Sequence, residues 1–325
     1  ADWQRLLRYD PITPLLNSPN PAVVYFTRWD LCDEPVGPVT QLWTLPPVGK
    51  LLRRQADNGA WPYKGPDTTI RSQEDYDQIE TFRALGLLVT KYGLTREHDA
   101  IRRGAEFLFS RQHVDGDFRG IYGRQTTPNY TGAILAQLIH AGYGDDPRVA
   151  RAFDWLLAMR QDAGGWALPF QTRGMRLDRA TLHAPPAEPD RTQPNSQLAT
   201  DAALRAFAAY PAYRTHEAAQ HAGACLADRL FKRGEYPGRQ DEDYWFKFHY
   251  PFWFTDLLSA LDTLTILGFT PEHRAIEDAL DWFIMQQRPD GQWDLKLLAA
   301  GGDKEQPRWL ALAICRVLKR TWCAG

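Results

Sequence analysis

Hydrophobic residues recur at helical spacing along most of the chain. In the run HDAIRRGAEFLFSR, Ile101, Ala105 and Leu108 fall on one face of a helix. This spacing, close to 3.6 residues per turn, predicts amphipathic helices that bury one side. The matching runs are about 47–55, 98–111, 147–160, 214–231 and 272–286.

A second set of runs is richer in apolar and small residues. A more apolar helix buries more of its surface, so we expect this set inside and the amphipathic set outside. PAVVYFTRWDL near the N-terminus predicts a sixth inner helix, and WQRLLRY a sixth outer helix that closes against the C-terminal helix. Strand patterns are scarce. The other predicted inner helices are about 75–92, 127–142, 195–209, 251–267 and 307–321.

A short Gln-Gly-aromatic motif recurs where the amphipathic runs end. Gly just after a helix can adopt the left-handed conformation that ends it. We expect the Gln to hydrogen-bond free backbone groups at the helix end, and the aromatic ring to cover the junction with the next inner helix. The copies are Gln55-Gly59-Trp61, Gln112-Gly116-Phe118, Gln161-Gly164-Trp166, Gln287-Gly291-Trp293 and a fifth with Leu230, Gly234 and Tyr236.

Repeated helix pairs either stack into an open superhelix or close into a ring. About six pairs are predicted, and both termini are helical and apolar rather than polar. Both features favour closure. The sequence therefore predicts one all-α domain over residues 1–325, an (α/α)6 toroid with six inner and six outer helices.

Composition narrows the function classes. The 325 residues are 44% hydrophobic with a formal net charge of −2, and no basic run provides a footprint for nucleic acid or an anionic membrane surface. No apolar stretch is long enough to span a bilayer. The N-terminus does not look like a signal peptide, and four scattered cysteines favour reduced thiols in a cytoplasm. The 12 Trp, 13 Tyr and 15 Phe suggest a role beyond core filling, although core filling accounts for the larger share.

The repeats resemble a known family. RGAEFLFSRQHVDGDF and RAFDWLLAMRQDAGGW are similar to the QW repeats of the squalene and oxidosqualene cyclases, whose toroid the protein prenyltransferase β-subunits share. The N-terminal stretch YDPITPLLNSPNPAVVYFTRWDL also resembles a group of single-domain bacterial proteins with such repeats. The resemblance implies a toroid around an apolar cavity. Triterpene cyclases have two such domains, whereas this chain has length for one.

In the cyclases, an Asp-x-Asp-Asp motif at the start of an inner helix donates the proton that begins a carbocation cascade. The nearest stretch here is Asp75, Tyr76, Asp77 and Gln78, which lacks the last carboxylate. Neighbouring carboxylates can keep one another protonated, so Asp77 is the candidate acid and Asp75 its partner. The alternative is structural, because acidic residues are favoured in the first turn of any helix.

A prenyltransferase-like zinc site is not expected. KFHYPFWFTDLL resembles the segment with that family's Asp-x-Cys-Tyr sequence, but Lys247 and His249 replace the two ligands and only Tyr250 is retained. Arg308 and Trp309 stand where the third ligand, a His, should lie. We therefore predict no metal and no cofactor.

The starts of the inner helices should gather the remaining polar and aromatic groups at one rim. Two insertions precede inner helices, HAPPAEPDRTQPNSQ and GRQDEDYWFKFHYPFW, and both are candidates for covers over that rim, solvated loops being the alternative. The candidate catalytic residues are Asp77 and Asp75. The candidate substrate-binding residues are Tyr76, Asn129, Tyr130, Asn195, Trp245, His249, Tyr250, Trp253, Arg308 and Trp309.

The leading hypothesis is a toroid that binds an isoprenoid or other apolar small molecule, with acid-initiated cyclisation or isomerisation as the reaction if it is an enzyme. A lipid-binding or scaffold toroid without chemistry is the alternative. A third reading, a carbohydrate-active (α/α)6 enzyme, would use paired carboxylates such as Asp241 and Asp243. No nucleic-acid partner is expected, and peripheral membrane contact to collect a substrate stays open.

Overall fold

The computed structural model describes residues 2–65, 71–237, 240–298 and 303–324. These residues form helices, turns and a few isolated bridges, and no strand occurs among them. The predicted all-α class is confirmed. No helix in this part of the chain combines the length and the hydropathy needed to cross a membrane.

The α-helices follow the predicted alternation of amphipathic and apolar segments. In chain order they are α1 (Ile12–Leu16), α2 (Pro21–Phe26), α3 (Pro46–Leu52), α4 (Gln73–Tyr92), α5 (Asp99–Ser110), α6 (Pro128–Leu138), α7 (Pro147–Ala158), α8 (Pro169–Thr172), α9 (Leu177–His183), α10 (Gln197–Ala209), α11 (Glu217–Ala227), α12 (Leu257–Ile266), α13 (Arg274–Met285) and α14 (Gln306–Ala324). The 3-10 segments are Asp2–Leu6, Val39–Thr44, Pro211–Tyr213 and Glu242–Phe246, and the π segments are Thr27–Leu31 and Ile139–Tyr143.

The fold contains two compact units. Unit 1 comprises residues 1–38, 223–234 and 239–325, and unit 2 comprises residues 39–222 and 235–238. Helices α3 to α10 lie in unit 2, α1, α2 and α12 to α14 lie in unit 1, and α11 runs from one into the other.

The apolar helices are the more deeply buried set, as their composition predicts. Ten of the 13 residues of α10 are buried, compared with six of the 12 residues of α5. Helices α6 and α10 pack closely because Gly132 has no side chain: a Cβ there would lie 2.4 Å from the Cα of Ala203. The core of unit 2 therefore lies between the apolar helices.

The repeated glutamines connect neighbouring helix pairs. Gln55 Nε2 donates to the carbonyl of Gly59 at 2.9 Å in its own turn and to that of Ala100 at 2.8 Å in the first turn of α5. Gln112 Nε2 repeats this with Gly116 at 2.8 Å and Arg148 at 2.9 Å in the first turn of α7. Each amide thus bonds backbone oxygens of two elements, in accord with the role expected for these glutamines.

The aromatic residue of the motif closes the same junction from the other side. The indole nitrogen of Trp61 donates to the carbonyl of Leu51 at 2.8 Å, near the end of α3. Its backbone nitrogen donates to the hydroxyl of Thr81 on α4 at 2.9 Å. One residue therefore joins an amphipathic helix to the apolar helix that follows it.

The N-terminal segment completes the last repeat within unit 1. Gln287 Nε2 donates to the carbonyl of Tyr9 at 2.9 Å, and Gln287 Oε1 accepts from the backbone nitrogens of Arg8 and Tyr9 at 3.0 Å. Gly291, with a φ of +80°, lies against the chain so closely that a Cβ would be 1.9 Å from the carbonyl oxygen of Asp10. The first residues of the chain therefore take the place that α5 and α7 take in earlier repeats.

Two helix predictions were wrong in detail. The predicted inner helix at 251–267 begins only at Leu257, because Asp256 forms a capping box with Ser259: Asp256 Oδ1 accepts from the Ser259 nitrogen at 2.8 Å, and Ser259 Oγ accepts from the Asp256 nitrogen at 3.0 Å. The N-terminal WQRLLRY run forms a 3-10 segment, Asp2–Leu6, rather than a full helix.

Replacing Gln112 with Met should destabilise the fold. The substitution keeps the side-chain volume but leaves the carbonyls of Gly116 and Arg148 without their donor, which should cost about 1–3 kcal/mol. Urea unfolding followed by circular dichroism measures this. An unchanged free energy of unfolding would contradict the role given to the repeated glutamines.

Helix α5 begins with a histidine cap that depends on protonation. His98 Nδ1 accepts a hydrogen bond from the Ala100 nitrogen at 3.1 Å, which only an unprotonated nitrogen can do. Burial lowers the pKa of His98. A folded-state pKa below the unfolded value of about 6.5 gives stability that is present above that pH and lost as the pH falls.

The variant His98→Asn should therefore lose less stability than the wild type between pH 7.5 and pH 5.5. Asparagine supplies a cap acceptor that does not titrate, and the difference should be on the order of 1 kcal/mol, the usual value of a cap. Urea unfolding at both pH values tests this, with the exposed His221→Asn as control. Equal losses in wild type and His98→Asn would rule out this cap as a source of acid sensitivity.

Candidate functional site

The first turn of α4 carries the predicted acidic motif in unit 2. Ser72 caps the helix by accepting from the Asp75 nitrogen at 3.1 Å. Asp75 Oδ1 accepts from Arg111 Nη2 at 2.7 Å, and the same guanidinium contacts Glu74 at 3.0 Å. The Asp75 side chain is only 17% exposed, so this ion pair is largely withdrawn from solvent.

Asp77 is held as an acceptor. Its Oδ1 accepts from the Tyr63 backbone nitrogen and from Gln73 Nε2, both at 2.7 Å. A proton carried on this oxygen would have to displace one of the two donors. Any proton that Asp77 donates must therefore come from its second oxygen.

Aromatic rings surround the start of α4. Tyr76 stacks on Tyr63 with centroids 4.4 Å apart and an interplanar angle of 16°. The Arg71 guanidinium lies 5.6 Å from the Tyr76 centroid and donates to the carbonyl of Ile121. The stack and the cation fix Tyr76 between the turn before α4 and the loop before α6.

A second group of rings, the aromatic cluster, consists of Phe82, Tyr122, Tyr130 and Phe170. Tyr130 on α6 contacts Phe82 on α4 at 5.9 Å and Tyr122 at 5.5 Å between centroids. Tyr122 in turn contacts Phe170 on α8 at 5.9 Å. All three contacts are edge-to-face, a geometry that aromatic pairs favour.

Three buried amides, on α4, on α6 and just before α10, have atoms without a hydrogen-bond partner among the described residues. Gln78, one turn before Phe82, is fully buried, and neither of its amide atoms has a hydrogen-bond partner among the residues that the structure describes. The same holds for the Oδ1 atoms of Asn129 and Asn195, whose side chains are 6% exposed. Asn195 Nδ2 does donate to the carbonyl of Gly164 at 3.1 Å.

Gly120 brings the loop before α6 against α4. Its φ is +111°, and a Cβ at this position would lie 2.5 Å from Asp75 Oδ1 and 2.6 Å from Gln78 Oε1. The backbone therefore covers the acidic motif at a distance that only glycine permits. Gln78 was not predicted as a site residue; its position in Asp-x-Asp-Gln was the only signal in the sequence.

The insertion before α10 is anchored at several points rather than free over the rim. Gln161 Nε2 donates to the carbonyls of Asp190 and Gln193, both at 2.8 Å. Buried Gln125 donates to the carbonyl of Pro185 at 2.9 Å and accepts from the Ala187 nitrogen at 3.0 Å. Two buried amides therefore fix the course of this loop.

In unit 1, Tyr250 and Trp309 lie together as a stacked pair. Their centroids are 5.7 Å apart with an interplanar angle of 9°, and both side chains are buried. Gln306 accepts from the Tyr250 nitrogen at 2.9 Å and donates to its carbonyl at 2.6 Å. Burial raises the pKa of the Tyr250 phenol, and Arg316, which donates to the phenol oxygen at 3.1 Å, opposes that shift.

The other predicted residues of unit 1 have local partners. Trp245 is 2% exposed, and its indole nitrogen donates to the carbonyl of Lys232 at 2.8 Å, which is how the tryptophans of the repeats bond. His249 Nδ1 lies 3.0 Å from the Pro251 carbonyl oxygen, and its ring is 6.2 Å from Trp253. Arg308 pairs with Glu305 at 2.9 Å.

Asp241 and Asp243 are exposed beside the 3-10 segment Glu242–Phe246. Their positions add no support for a carbohydrate-cleaving pair.

One group of described residues has ligand types suited to a metal: His113, Asp115 and Asp117, in the turn around Gly116. His113 Nδ1 lies 2.9 Å from Asp115 Oδ2 and 3.9 Å from Asp117 Oδ1. Arg119 already bonds both carboxylates, at 3.0 and 2.9 Å. Burial nevertheless raises the pKa of Asp117. Since one guanidinium compensates these charges, the cluster is explained as part of the turn.

Comparison with known proteins extends the resemblance seen in the repeats. Residues 145–300, just under half of the chain, match the squalene-hopene cyclase C-terminal domain family. This match confirms, over those residues, the predicted likeness to the terpenoid cyclases. No curated protein matches the chain.

Solved structures with similarity to the chain include the type II terpene cyclase MstE from Scytonema. Its apo form is 16% identical over 84% of this chain and 95% of that chain, with a TM-score of 0.34. A variant in complex with geranylgeranyl dihydroxybenzoate, its substrate, is 17% identical over 86% and 96%, with a TM-score of 0.34. A protein from Actinoplanes is 16% identical over 87% and 98%, with a TM-score of 0.33.

Replacing Gln78 tests whether its buried amide contributes to the stability of the folded protein. Replacing it with Met removes one buried amide group, neither of whose polar atoms has a described partner, so the free energy of unfolding should stay the same or rise, by up to about 2 kcal/mol. Urea unfolding measures this beside Gln112→Met, which should change stability in the opposite direction. A loss above 1 kcal/mol in Gln78→Met would mean that its amide is bonded in the folded protein.

Proposed function

We propose that the chain binds an isoprenoid or similar apolar small molecule against the aromatic cluster of unit 2. The observation that carries this proposal is the aromatic cluster with Phe82, Tyr122 and Tyr130 near Gln78, whose buried amide has no hydrogen-bond partner among the described residues. Ring faces attract apolar chains and developing cations, whereas a site for a polar substrate would need many more donors. The family match over residues 145–300 supports the same ligand class.

Within this proposal, Asp77 is the candidate proton donor for a cyclisation or isomerisation, and Asp75 is the carboxylate beside it. Tyr76 and Tyr130 are candidates for contact with the ligand, and the amides of Asn129 and Asn195 are further candidates. In unit 1, His249, Tyr250, Trp253, Arg308 and Trp309 remain candidates from the sequence alone.

Binding without chemistry is the second candidate function. It is favoured by the two donors on Asp77 Oδ1 and by the ion pair between Asp75 and Arg111, since both carboxylates serve as acceptors there. The two functions share a ligand class and differ only in turnover, so one set of variants separates them.

Substituting Tyr130 or Tyr122 with Leu should weaken binding of a linear isoprenoid about tenfold, which corresponds to about 1.4 kcal/mol of lost ring contact. Quenching of intrinsic fluorescence by farnesol, geranylgeraniol and squalene measures the affinity. The control is Trp322→Leu, whose ring is 43% exposed at the end of α14. Equal affinities in all variants would remove the aromatic cluster from the proposal.

Turnover separates an enzyme from a binder. If Asp77 is the acid, incubation with linear isoprenoids and their diphosphates gives new products by gas chromatography and mass spectrometry. The rate then falls at least 100-fold in Asp77→Asn, as expected for loss of a general acid. The control variant, Asp57→Asn, changes an exposed carboxylate of the first repeat turn. Products that persist in Asp77→Asn would exclude this acid, and binding without any product would establish the second candidate function.

A further inference from the structure

A cleft of about 360 Å³ lies in unit 1. It lies between the last repeat turn, α1 and the start of α14, and its described lining combines apolar and charged side chains. A volume of this size suits a small organic molecule. Its lining includes Trp293 of the last repeat motif and the candidate residue Arg308, but the proposed isoprenoid contacts in unit 2 give the cleft no role.

The apolar part of the lining is firm. Trp293 is 5% exposed and its indole nitrogen is already bonded to the Phe283 carbonyl at 2.7 Å, so its ring is fixed in place. Leu310 on α14 is 1% exposed, and Leu295 and Leu297 line the same cleft. These side chains offer an apolar surface that does not need to rearrange to receive a ligand.

The positively charged side chains of the lining do not all have ion-pair partners among the described residues. Arg288 pairs with Asp290 at 2.6 Å, which accounts for one cation of the lining. Among the residues that the structure describes, the Arg308 guanidinium bonds one side chain, Glu305, at 2.9 Å through Nη1. Lys304 has no hydrogen bond or ion pair to any residue within the described ranges. Guanidinium and ammonium donors therefore remain unused on the side of the cleft next to α14.

A further donor belongs to the same lining. Gln292 lines the cleft, and its Nε2 is buried without a hydrogen-bond partner among the described residues. A buried amide that lacks a partner indicates a missing acceptor, because leaving such a group unpaired is costly. An acceptor with several oxygens would suit Gln292, Lys304 and Arg308 together. Asp294 also lines the cleft, and its carboxylate repels negative charge near it. A ligand should therefore carry its negative charge in one compact group.

From this combination we infer that the cleft is a second ligand site, for a small amphipathic anion. A carboxylate or phosphate head bonds both Lys304 and Arg308. The forked donors of the Arg308 guanidinium match the geometry of either group. The apolar body packs on Trp293 and Leu310. This inference concerns residues of unit 1 and does not depend on the isoprenoid site.

The test uses the whole chain and probes with an eight-carbon body: octanoate, octyl phosphate and octanol. Isothermal titration calorimetry should show binding of octanoate or octyl phosphate, or of both, at least tenfold tighter than binding of octanol. The preferred head identifies the source of the anion. Higher salt should weaken the binding of the anions and leave that of octanol unchanged.

Matched variants locate the site. Lys304→Ala and Arg308→Leu should each weaken binding of the anionic probe at least tenfold, whereas Lys296→Ala, an exposed lysine in the same segment but outside the lining, should not. Thermal unfolding of each variant checks that it is folded, and Lys304→Gln serves if Lys304→Ala is not. Tyr130→Leu should leave octanoate binding intact.

Three outcomes overturn the inference: no binding of either anion, equal affinity for octanol, or binding that Lys304→Ala and Arg308→Leu leave unchanged. A loss of octanoate binding in Tyr130→Leu would place the anion in unit 2 and would likewise overturn it. None of these results affects the isoprenoid proposal, which is decided by the affinity for uncharged isoprenoids.

Discussion

At three of the repeat turns, a side-chain amide bonds the carbonyl of its own turn and the backbone of the next element, and the packing of successive helices depends on it. Helix ends leave backbone groups without intrahelical partners, and burying such groups unpaired is costly. Gln55 and Gln112 meet this need with two bonds each, and Gln287 does so with the N-terminal segment. Glycine makes the contact feasible, because at Gly116 a Cβ would lie 2.4 Å from a carbonyl oxygen of α7.

The repeat turns and the start of α4 differ in how completely their polar groups are paired. Backbone groups at the repeat turns are paired by the glutamines, and the rings of Trp61, Trp166 and Trp293 bond the preceding helices. By contrast, Gln78 in the first turns of α4 has an amide without described partners, and the loop at Gly120 lies against it. Groups of this kind reduce stability and usually have a functional reason.

The repeat pattern was the strongest signal in the sequence. Its period set the helices within a few residues, and the Gln-Gly-aromatic spacing predicted the bonds at the turns, because helix geometry and backbone pairing are local. The late start of α12 was also readable, since Asp256 and Ser259 have capping-box spacing. It was missed because the apolar run extends back to Pro251.

The site was less predictable because its bonds join distant parts of the chain. No periodicity predicts that the Tyr63 backbone nitrogen donates to Asp77, 14 residues further along the chain. Trp245 looked like a pocket residue, yet it bonds the end of an outer segment through Lys232. Gln78 has an ordinary sequence context, and only the fold reveals that its amide is buried without described partners. That Lys304 has no ion pair within the described ranges is likewise a property of packing.

The most direct test of the account is a crystal structure of the protein with a bound linear isoprenoid that carries a bromine atom at one end. Anomalous scattering locates the bromine without any assumption about the chain. The account predicts a ligand that lies along Phe82, Tyr122 and Tyr130 and satisfies the amide of Gln78. A ligand found only elsewhere, with a water molecule bonded to Gln78 and side chains filling the space beside the rings, would contradict it.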